Sequence, residues 1–529
     1  MSEKAMEGQS KSIAKGISVL GVTGVLCKFV GVLYSIPLAR ILKPEGLGLF
    51  QTVFPTYNLF LTISSAGLPV AVSRMVAHYL AQKDPANARK TFSVALMLLG
   101  CVGFFFSFIM LLSNQLLTRL VGVEEAAKGF VAIAPCVLIV CILSAFRGYI
   151  QGHQNMLPTA ISQMIEQIGK VAVSLPLAAV GMNRGIEYGA AGALWGITLV
   201  EIAALVYMIV LYAVHRKKHP LTAPPASPVT QRSLARQLVE ISVPITVSAC
   251  IIPLSQFIDS ALMVNRMVDA GLSRGTATSL YGIFSGMVIR LINIPTALAL
   301  AISMSLVPAV SAAKAIGSRE NIIRETNTGL RYAALIGFPC SIGMSILAKP
   351  ILQIFYTGTL TPERMQTAAE LLQISALTVF LFTMVQASSS ILQGLHHQSI
   401  PMYAMIAGVS LKILLNYTLI GTPGIDIHGG PIASIVCYST ALIPNLIYCC
   451  KYAEIRCRWM DWFIRPGLAA LGMGLAVYGL KVILPESFLS TLIMIAAGIC
   501  VYLGLAWMDH AVDRNDLQGI LSFRGRRNS

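Results

Sequence analysis

The chain has 529 residues, of which 55% are hydrophobic and only 12% are charged. Soluble domains carry about 25% charged residues, so the composition excludes a soluble protein and predicts a polytopic membrane protein. The formal net charge is +16. The eleven cysteines form no CxxC pair and no Cys/His cluster with metal-ligand spacing. We interpret the cysteines as small core residues in a reduced environment, and no metal site is expected.

Hydropathy divides the chain into fourteen candidate membrane spans. About 20 apolar residues cross a bilayer core as one helix, so the sequence predicts an all-α polytopic membrane protein. In chain order the expected spans are 16–41, 50–79, 91–113, 128–147, 158–181, 189–213, 238–265, 279–314, 328–347, 367–392, 401–420, 429–450, 464–481 and 488–508.

Lysines and arginines concentrate on one side of this expected topology. With the N-terminus inside, 24 of the 39 lie in inside segments, 10 in outside segments and five within spans. Because cytoplasmic loops carry the excess of basic residues, we expect both termini in the cytoplasm. The positive charge then faces anionic inner-leaflet lipid, and nucleic acid is not an expected partner.

A polar, proline-rich segment, residues 215–237, interrupts the spans and predicts a cytoplasmic linker. It separates an N-lobe of six spans, 1–214, from a C-lobe of six spans, 238–450. Two extra spans and a basic cytoplasmic tail follow in 451–529.

Short matches relate the two lobes to each other. Val70–Ser73 at the end of span two recurs, with one change, as Pro308–Ser311 at the end of span eight, an offset of 238. Residues 151–170 begin with Gln-Gly and end with Lys, and residues 393–412 do the same at an offset of 242. Since both matches fall in equivalent spans of the same orientation, they predict a duplicated six-helix bundle with parallel repeats.

The apolar segment Ser279–Lys314 contains Arg290. About 16 Å of helix precede this residue in the span, which places it near the middle of the bilayer. A charge there costs at least about 2.5 kcal/mol on insertion scales and usually faces a polar interior. The alternative to a functional role is a purely structural ion pair. Pro295 removes a backbone hydrogen bond, which predicts a hinge just past the charge.

Lys28 lies about 18 Å into span one by helix rise, again near mid-membrane, with snorkelling as the alternative explanation. Lys28 and Arg290 belong to different lobes, so we expect the lobes to present both cations to one cavity. Two desolvated cations repel each other, and a bound anion relieves that repulsion. A diphosphate suits such a site, because Arg binds oxygens bidentately and Lys acts as a point charge.

Two other cations are candidates for substrate binding. Arg74 lies near the inner end of span two, where snorkelling to the headgroups explains it equally well. Lys412 lies in span eleven, where it is expected to line a second groove.

Three acids lie within expected spans, with ion coupling or charge pairing as the open alternatives. Glu166 and Lys170 are one helical turn apart, which favours a mutual ion pair. Asp259 is a candidate partner for a midline cation or a carrier of a coupling cation. Glu201 is a candidate buried, protonated acid.

The sequence contains no nucleophile elbow, HExxH motif or phosphate-binding glycine loop. The longest expected external loops, 114–127 and 348–366, are too short for a catalytic domain. We therefore expect no enzyme, no catalytic residue and no cofactor. A coupling cation or the membrane potential is the expected energy source.

Several segments in combination resemble a known family. They are Lys28–Gly31, Pro37–Leu42, Glu45–Gly48, Ala66–Ser73, and Phe146–Pro158 followed by Ile165–Ile168. They resemble the stage V sporulation protein B family, in the polysaccharide transporter branch of the MOP flippase superfamily. The chain is also similar, more distantly, to the MurJ family of lipid II flippases.

The resemblance implies a MOP/MATE-like fold with two pseudo-symmetric six-helix bundles around a cationic cavity. Two C-terminal helices would form a groove for a lipid tail. MurJ-type proteins carry a cation early in helix one and an Arg ahead of a proline in helix eight, which Lys28, Arg290 and Pro295 match. The acid that follows the helix-eight Arg in that family corresponds to Asn293, which joins the expected substrate-binding set.

The implied function is a flippase for an undecaprenyl-diphosphate-linked saccharide, working by alternating access in the bacterial inner membrane. Lipid II or a related peptidoglycan precursor, for the cell wall or spore cortex, is the expected substrate. Membrane lipid and cell-wall synthesis proteins are the other expected partners. The alternatives are an exporter of another lipid-linked polysaccharide unit, a MATE-like drug/cation antiporter, a polytopic glycosyl polymerase and a non-transporting scaffold of wall synthesis. An antiporter would need an acidic cavity and a polymerase would need acids on a sizeable outer loop.

Overall fold

The computed structural model describes residues 3–218, 229–455 and 458–509, without the side chains of residues 3–22, 25, 28, 29, 32 and 301. Within these ranges the chain forms twenty α-helical elements and no strand. The first eleven are α1 (Glu3–Ser65), α2 (Leu68–Ala81), α3 (Pro85–Leu112), α4 (Asn114–Val121), α5 (Ala127–Gly152), α6 (Leu157–Gly169), α7 (Leu175–Met182), α8 (Ile186–Lys218), α9 (Gln231–Ala249), α10 (Ile251–Asp269) and α11 (Arg274–Tyr281). The others are α12 (Ile289–Ala315), α13 (Arg319–Ile346), α14 (Ala348–Tyr356), α15 (Pro362–Ser375), α16 (Leu377–Gly394), α17 (Ser399–Ile420), α18 (Gly429–Tyr452), α19 (Arg465–Ile483) and α20 (Phe488–Met508).

Twelve described helical stretches are long and apolar enough to cross a membrane, and α9 with α10, bent by 45° at a short break, makes a thirteenth. One of the twelve, Leu33–Ala81, covers the end of the first expected span and all of the second. It is broken at Lys43, whose φ of 55° and ψ of 174° are not helical. The extended ψ follows from Pro44, because a proline ring disfavours the helical conformation in the residue before it. The all-α polytopic fold is therefore confirmed.

Contacts group the chain into two compact units. Unit 1 consists of Met1–Met287 and Ile420–Ile427, and unit 2 of Val288–Leu419 and His428–Ser529. The helices α9, α10 and α11 thus pack with the N-terminal helices, and α1 contacts all three. The sequence had assigned residues 238–450 to a C-lobe, so the grouping by contact differs from the expected lobes. The division of the chain at the 215–237 linker stays a prediction.

A glycine contact between equivalent helices recurs in the two units. In unit 1 a Cβ on Gly152 of α5 would lie 2.6 Å from Cβ of Val76 on α2. In unit 2 a Cβ on Gly394 of α16 would lie 2.8 Å from Cβ of Val310 on α12. Gly152 and Gly394 both belong to the repeated Gln-Gly pair. Because only glycine allows such close helix packing, the shared contact supports a duplicated bundle.

The last two helices, α19 and α20, belong to unit 2 and pack against α13. The Tyr502 hydroxyl donates to the Leu335 carbonyl oxygen at 2.9 Å. In the turn between α19 and α20, the Glu486 carboxylate accepts from Lys349 Nζ at 3.2 Å and from Gln353 Nε2 at 3.0 Å. The Gln353 hydrogen bond, followed by that of Lys349, lowers the pKa of Glu486. These bonds hold the hairpin to α14 at its turn and to α13 along α20.

Candidate functional site

Four charged side chains, from α5, α6, α8 and the segment that follows α6, lie close together in the interior of unit 1. We call them the charged cluster: Arg147, Glu166, Lys170 and Glu201. Arg147 of α5 donates to the Glu166 carboxylate of α6. It also donates from Nε to Ser162 Oγ at 3.0 Å. The Arg147 and Glu166 side chains are only 14% and 12% exposed. Such a buried pair is stable only while both partners are present.

The position of the Glu166 carboxylate follows from the local sequence of α6. Pro158 lies in the first turn of the helix, where its fixed φ favours helix formation. Ser162 and Glu166 follow at intervals of four residues, so they share one helix face, which is turned towards Arg147. After Gly169 the helix passes into a π segment, Lys170–Ser174. Lys170 is half-buried at the first position of this segment. π-bulges often occur at functional sites.

Glu201 of α8 completes the charged cluster. It is 4% exposed, and its Oε2 has no hydrogen-bond partner among the described residues. Glu166, Lys170 and Arg147 all lie close enough to interact with its charge. Two acids and two bases therefore share one buried space.

Glu166 forms its ion pair with Arg147 and not with Lys170, the partner that the sequence favoured. The sequence had placed Arg147 in a cytoplasmic segment at the end of an expected span, 128–147. The helix α5 in fact continues to Gly152, so the guanidinium stays beside α6. One feature of the sequence could have indicated that Arg147 lies inside the bundle: it precedes the repeated Gln-Gly pair by one helical turn.

Unit 2 contains three of the expected substrate-binding residues. Arg290 is half-buried at the second position of α12, directly after a π segment, Gly282–Val288. Asn293 is exposed on the same helix, and Lys412 is half-buried on α17. The sequence predicted a kink just past Arg290, whereas the observed irregularity, the π segment, precedes it. Pro295 is buried inside the continuous helix α12, and its role as a hinge stays a prediction.

Unit 2 also has a one-sided charge distribution along its apolar helices. Seven of them have no aspartate or glutamate and contain either lysine or arginine or no charged residue: α12, α14, α16, α17, α18, α19 and α20. Arg290 and Lys412 thus lie on helices of net positive charge. A region of this kind favours an anionic ligand.

The other expected residues lie in unit 1. Arg74 is exposed on α2, and Asp259 is 9% exposed on α10. The side chain of Lys28 lies outside the described residues. Within the described part of the chain, no group of three or more His, Cys, Asp or Glu side chains is placed to hold a metal ion.

A family model described as polysaccharide biosynthesis protein matches residues 13–314, more than half of the chain. The chain belongs to this family. A second family model, described as MatE, matches residues 244–418. Both matches fall in the apolar helical part of the chain.

Known relatives agree with this membership. The chain is 26% identical over 430 residues to stage V sporulation protein B of Bacillus subtilis (strain 168), covering 80% of this chain and 81% of that protein. It is also 26% identical over 465 residues to the lipid II flippase MurJ of the same organism, covering 84% of each. The resemblance to the stage V sporulation protein B family is therefore confirmed.

A solved structure has the same fold as this chain. The lipid II flippase MurJ in an inward closed conformation matches with a TM-score of 0.70 and 16% identity, over 92% of this chain and 97% of that one. At this identity the likeness concerns the fold alone. The chain is a multi-pass membrane protein with the fold of the MOP superfamily.

Proposed function

We propose that this protein is a flippase that moves an undecaprenyl-diphosphate-linked saccharide from the inner to the outer leaflet of the bacterial cell membrane. Lipid II or a related peptidoglycan precursor is the proposed substrate, which the sequence similarity to the lipid II flippase MurJ supports. The observation that carries the proposal is the position of Arg290 and Lys412 on acid-free helices of unit 2. A diphosphate is the part of the substrate that such cations bind.

In the proposed mechanism the diphosphate enters from the cytoplasmic side and binds Arg290. Lys28, Arg74, Asn293 and Lys412 complete the proposed headgroup set, as the sequence suggested. The polyprenyl tail stays in the lipid beside α19 and α20. The chain alternates between inward and outward access as the two lobes rock about the linker 215–237, of which 219–228 lie outside the described residues. Pro295 is the proposed hinge.

The membrane potential is the proposed driving force. An inside-negative potential favours outward movement of an anion by roughly 2.3 kcal/mol per charge per 100 mV. A diphosphate headgroup carries more than one negative charge, so this force is substantial without a nucleotide. The basic bias of the inside segments supports cytoplasmic termini. Enzymes of wall synthesis, which make and use such lipids, are the proposed partners.

A MATE-like drug/cation antiporter is the second candidate, and the MatE match over residues 244–418 favours it. Such a protein would need acids along the transport path to bind a cation. The acid-free helices of unit 2 argue against this function, whereas they leave open an exporter of another lipid-linked polysaccharide unit.

The replacement Arg290→Ala is expected to slow transport of the diphosphate lipid. Losing hydrogen bonds between a cation and a charged group costs about 2 kcal/mol, or about thirtyfold in the rate at subsaturating lipid. The measurement uses proteoliposomes that contain a fluorescent polyprenyl-diphosphate saccharide, with a membrane-impermeant quencher outside.

The matched control is Arg319→Ala, which removes an exposed cation of the same unit that pairs with Glu454 at 2.9 Å. Its flipping rate should stay near that of the wild type, because exposed ion pairs contribute little. Equal rates for the two variants would contradict the assigned role of Arg290. Transport of organic cations but not of the diphosphate lipid would favour the antiporter.

A further inference from the structure

Two histidines meet at the end of unit 1 from which the linker 215–237 leaves. His153 directly follows α5, and His215 lies in the last turn of α8. Their ring centres are 4.7 Å apart, and the ring planes cross at 81°. Both residues are half-buried, so water and small ions can reach them. Neither imidazole has a role in the mechanism above.

The distance between the two rings fits a shared metal ion. A bond between zinc and an imidazole nitrogen is about 2.0–2.1 Å long. Two ring centres on one ion therefore lie about 4.5 Å apart when the bonds make a right angle, and about 5.2 Å apart at the tetrahedral angle. The observed 4.7 Å falls between these values. Imidazole suits zinc, copper and nickel, whereas magnesium and calcium prefer oxygen ligands.

A hydrogen bond sets the tautomer of His153. Its Nδ1 lies 3.0 Å from the carbonyl oxygen of Tyr149, one turn earlier in α5. A carbonyl oxygen only accepts, so Nδ1 carries the proton and the lone pair of the neutral ring is on Nε2. Metal-binding histidines almost always donate their other ring nitrogen to a carbonyl or carboxylate in this way. The bond thus holds His153 in the form that a metal ion requires.

Tyrosine rings keep the two histidines in place. The ring centre of Tyr149 lies 4.5 Å from that of His153 and 6.3 Å from that of His215. Tyr149 is itself buried, and its ring centre lies 5.4 Å from that of Tyr212 on α8. Because these rings already join α5 to α8, the two imidazoles need little rearrangement to bind one ion.

The helix ends also favour a cation at this point. His153 caps the C-terminus of α5, where unsatisfied carbonyl groups produce a partial negative charge. The last turn of α8 also contains Arg216, Lys217 and Lys218, but these side chains are exposed, so water and salt screen their charge. Another cation, Arg89 of α3, hydrogen-bonds to Tyr149.

The other repeat shows a different arrangement at the corresponding place. At the offset of 242 that relates the repeats, His153 corresponds to Leu395 of unit 2, which is buried. A histidine close to it, His397, stacks on the Tyr452 ring with the ring centres 3.8 Å apart. Unit 2 therefore places a histidine against a tyrosine where unit 1 brings two histidines together, so the bundle itself does not explain the pair.

We propose that His153 and His215 bind one divalent transition-metal ion of the zinc type, with water molecules as its remaining ligands. The ion joins the end of α8 to the end of α5, at the point where the linker begins. Because two side chains supply its protein ligands, the site is open to water, and its occupancy follows the concentration of free metal. The inference does not depend on the proposed function.

The first test uses Cu²⁺ as a spectroscopic probe on the purified protein without a histidine tag. One equivalent of Cu²⁺ should give an electron paramagnetic resonance spectrum with coupling to two imidazole nitrogens. His153→Gln and His215→Gln should each lose that spectrum. The matched control is His397→Gln, which removes the stacked histidine of unit 2 and should leave the spectrum unchanged. A wild-type spectrum without nitrogen coupling, or one that survives both replacements, overturns the site.

The second test uses Zn²⁺ and thermal unfolding of the same protein in detergent. An ion that binds only the folded state stabilises it, so saturating Zn²⁺ should raise the apparent Tm by about 2 °C or more. Mg²⁺ at the same concentration should have no effect, since it prefers oxygen ligands. The rise should vanish in His215→Gln and return in His215→Cys, because a thiolate also binds Zn²⁺. An equal rise in the wild type and His215→Gln would show that Zn²⁺ binds elsewhere and would overturn the assignment.

Discussion

The replacement Arg147→Ala should destabilise the protein by about 3–5 kcal/mol, because it leaves the Glu166 carboxylate buried without its partner. Both side chains are less than one-sixth exposed, and the guanidinium also holds Ser162. The expected result is a large fall in the apparent Tm of the purified protein in detergent.

Two controls separate loss of pairing from loss of a cation. Lys128→Ala breaks the exposed pair with Glu187, with side chains 42% and 36% exposed, and should cost at most about 1 kcal/mol. The double variant Arg147→Met with Glu166→Gln removes both charges and should recover most of the loss. If Arg147→Ala unfolds at the same temperature as Lys128→Ala, the buried ion pair does not have the strength assigned to it.

A second large effect is expected at the contact between α1 and the segment that follows α11. A Cβ on Gly282 would lie 2.2 Å from the Pro44 carbonyl oxygen and 2.6 Å from the Gly48 nitrogen. A Cβ on Gly48 would lie 2.1 Å from the Thr278 carbonyl oxygen. All three neighbours are backbone atoms, so they cannot move as the end of a flexible side chain would. Gly282→Val must therefore separate the two segments.

The expected loss for Gly282→Val is about 3 kcal/mol or more of stability, at the upper end of the range for overpacked sites. Flipping in proteoliposomes should fall at least tenfold with it, since the contact lies just ahead of Arg290 in the chain. Gln51 Nε2 donates to Ser285 Oγ at 3.3 Å along the same contact, and this bond would be lost too.

Gly100→Val is the matched control for this site. Gly100 lies on α3 of the same unit, and a Cβ there would meet nothing within 4 Å. Its stability and flipping rate should stay close to those of the wild type. Similar losses in the two variants would show that valine in a helix, and not the close backbone contact, causes the effect.

The sequence predicted the features that depend on composition and on local order. Apolar runs of sufficient length identified the spans, and Pro44 lies between the first two of them, where the helix breaks at Lys43. The repeated Gln-Gly pair predicted the duplicated bundle, and Gly152 and Gly394 each make a close contact with a valine of the corresponding helix. These signals are readable because each depends on neighbouring residues or on a constant offset.

The sequence did not predict the features that depend on distant neighbours. Arg147 and Glu166 are 19 residues apart on different helices, so local spacing pointed to Lys170 as the partner. The π segments at Lys170 and ahead of Arg290 depend on how each helix packs. The grouping of α9 to α11 with unit 1 depends on close contacts of single glycines, and a glycine in a sequence does not show what it touches.

The central claim is that the protein moves a polyprenyl-diphosphate-linked saccharide outward. The most direct measurement is complementation of a bacterial strain depleted of its own lipid II flippase, with the accessibility of lipid II to an external probe as the readout. The account predicts that the wild type restores exposure of lipid II, whereas Lys28→Ala and Arg290→Ala do not, at equal membrane levels. Failure of the wild type at normal membrane levels would contradict the proposed substrate, and full exposure with both variants would contradict the cationic headgroup site.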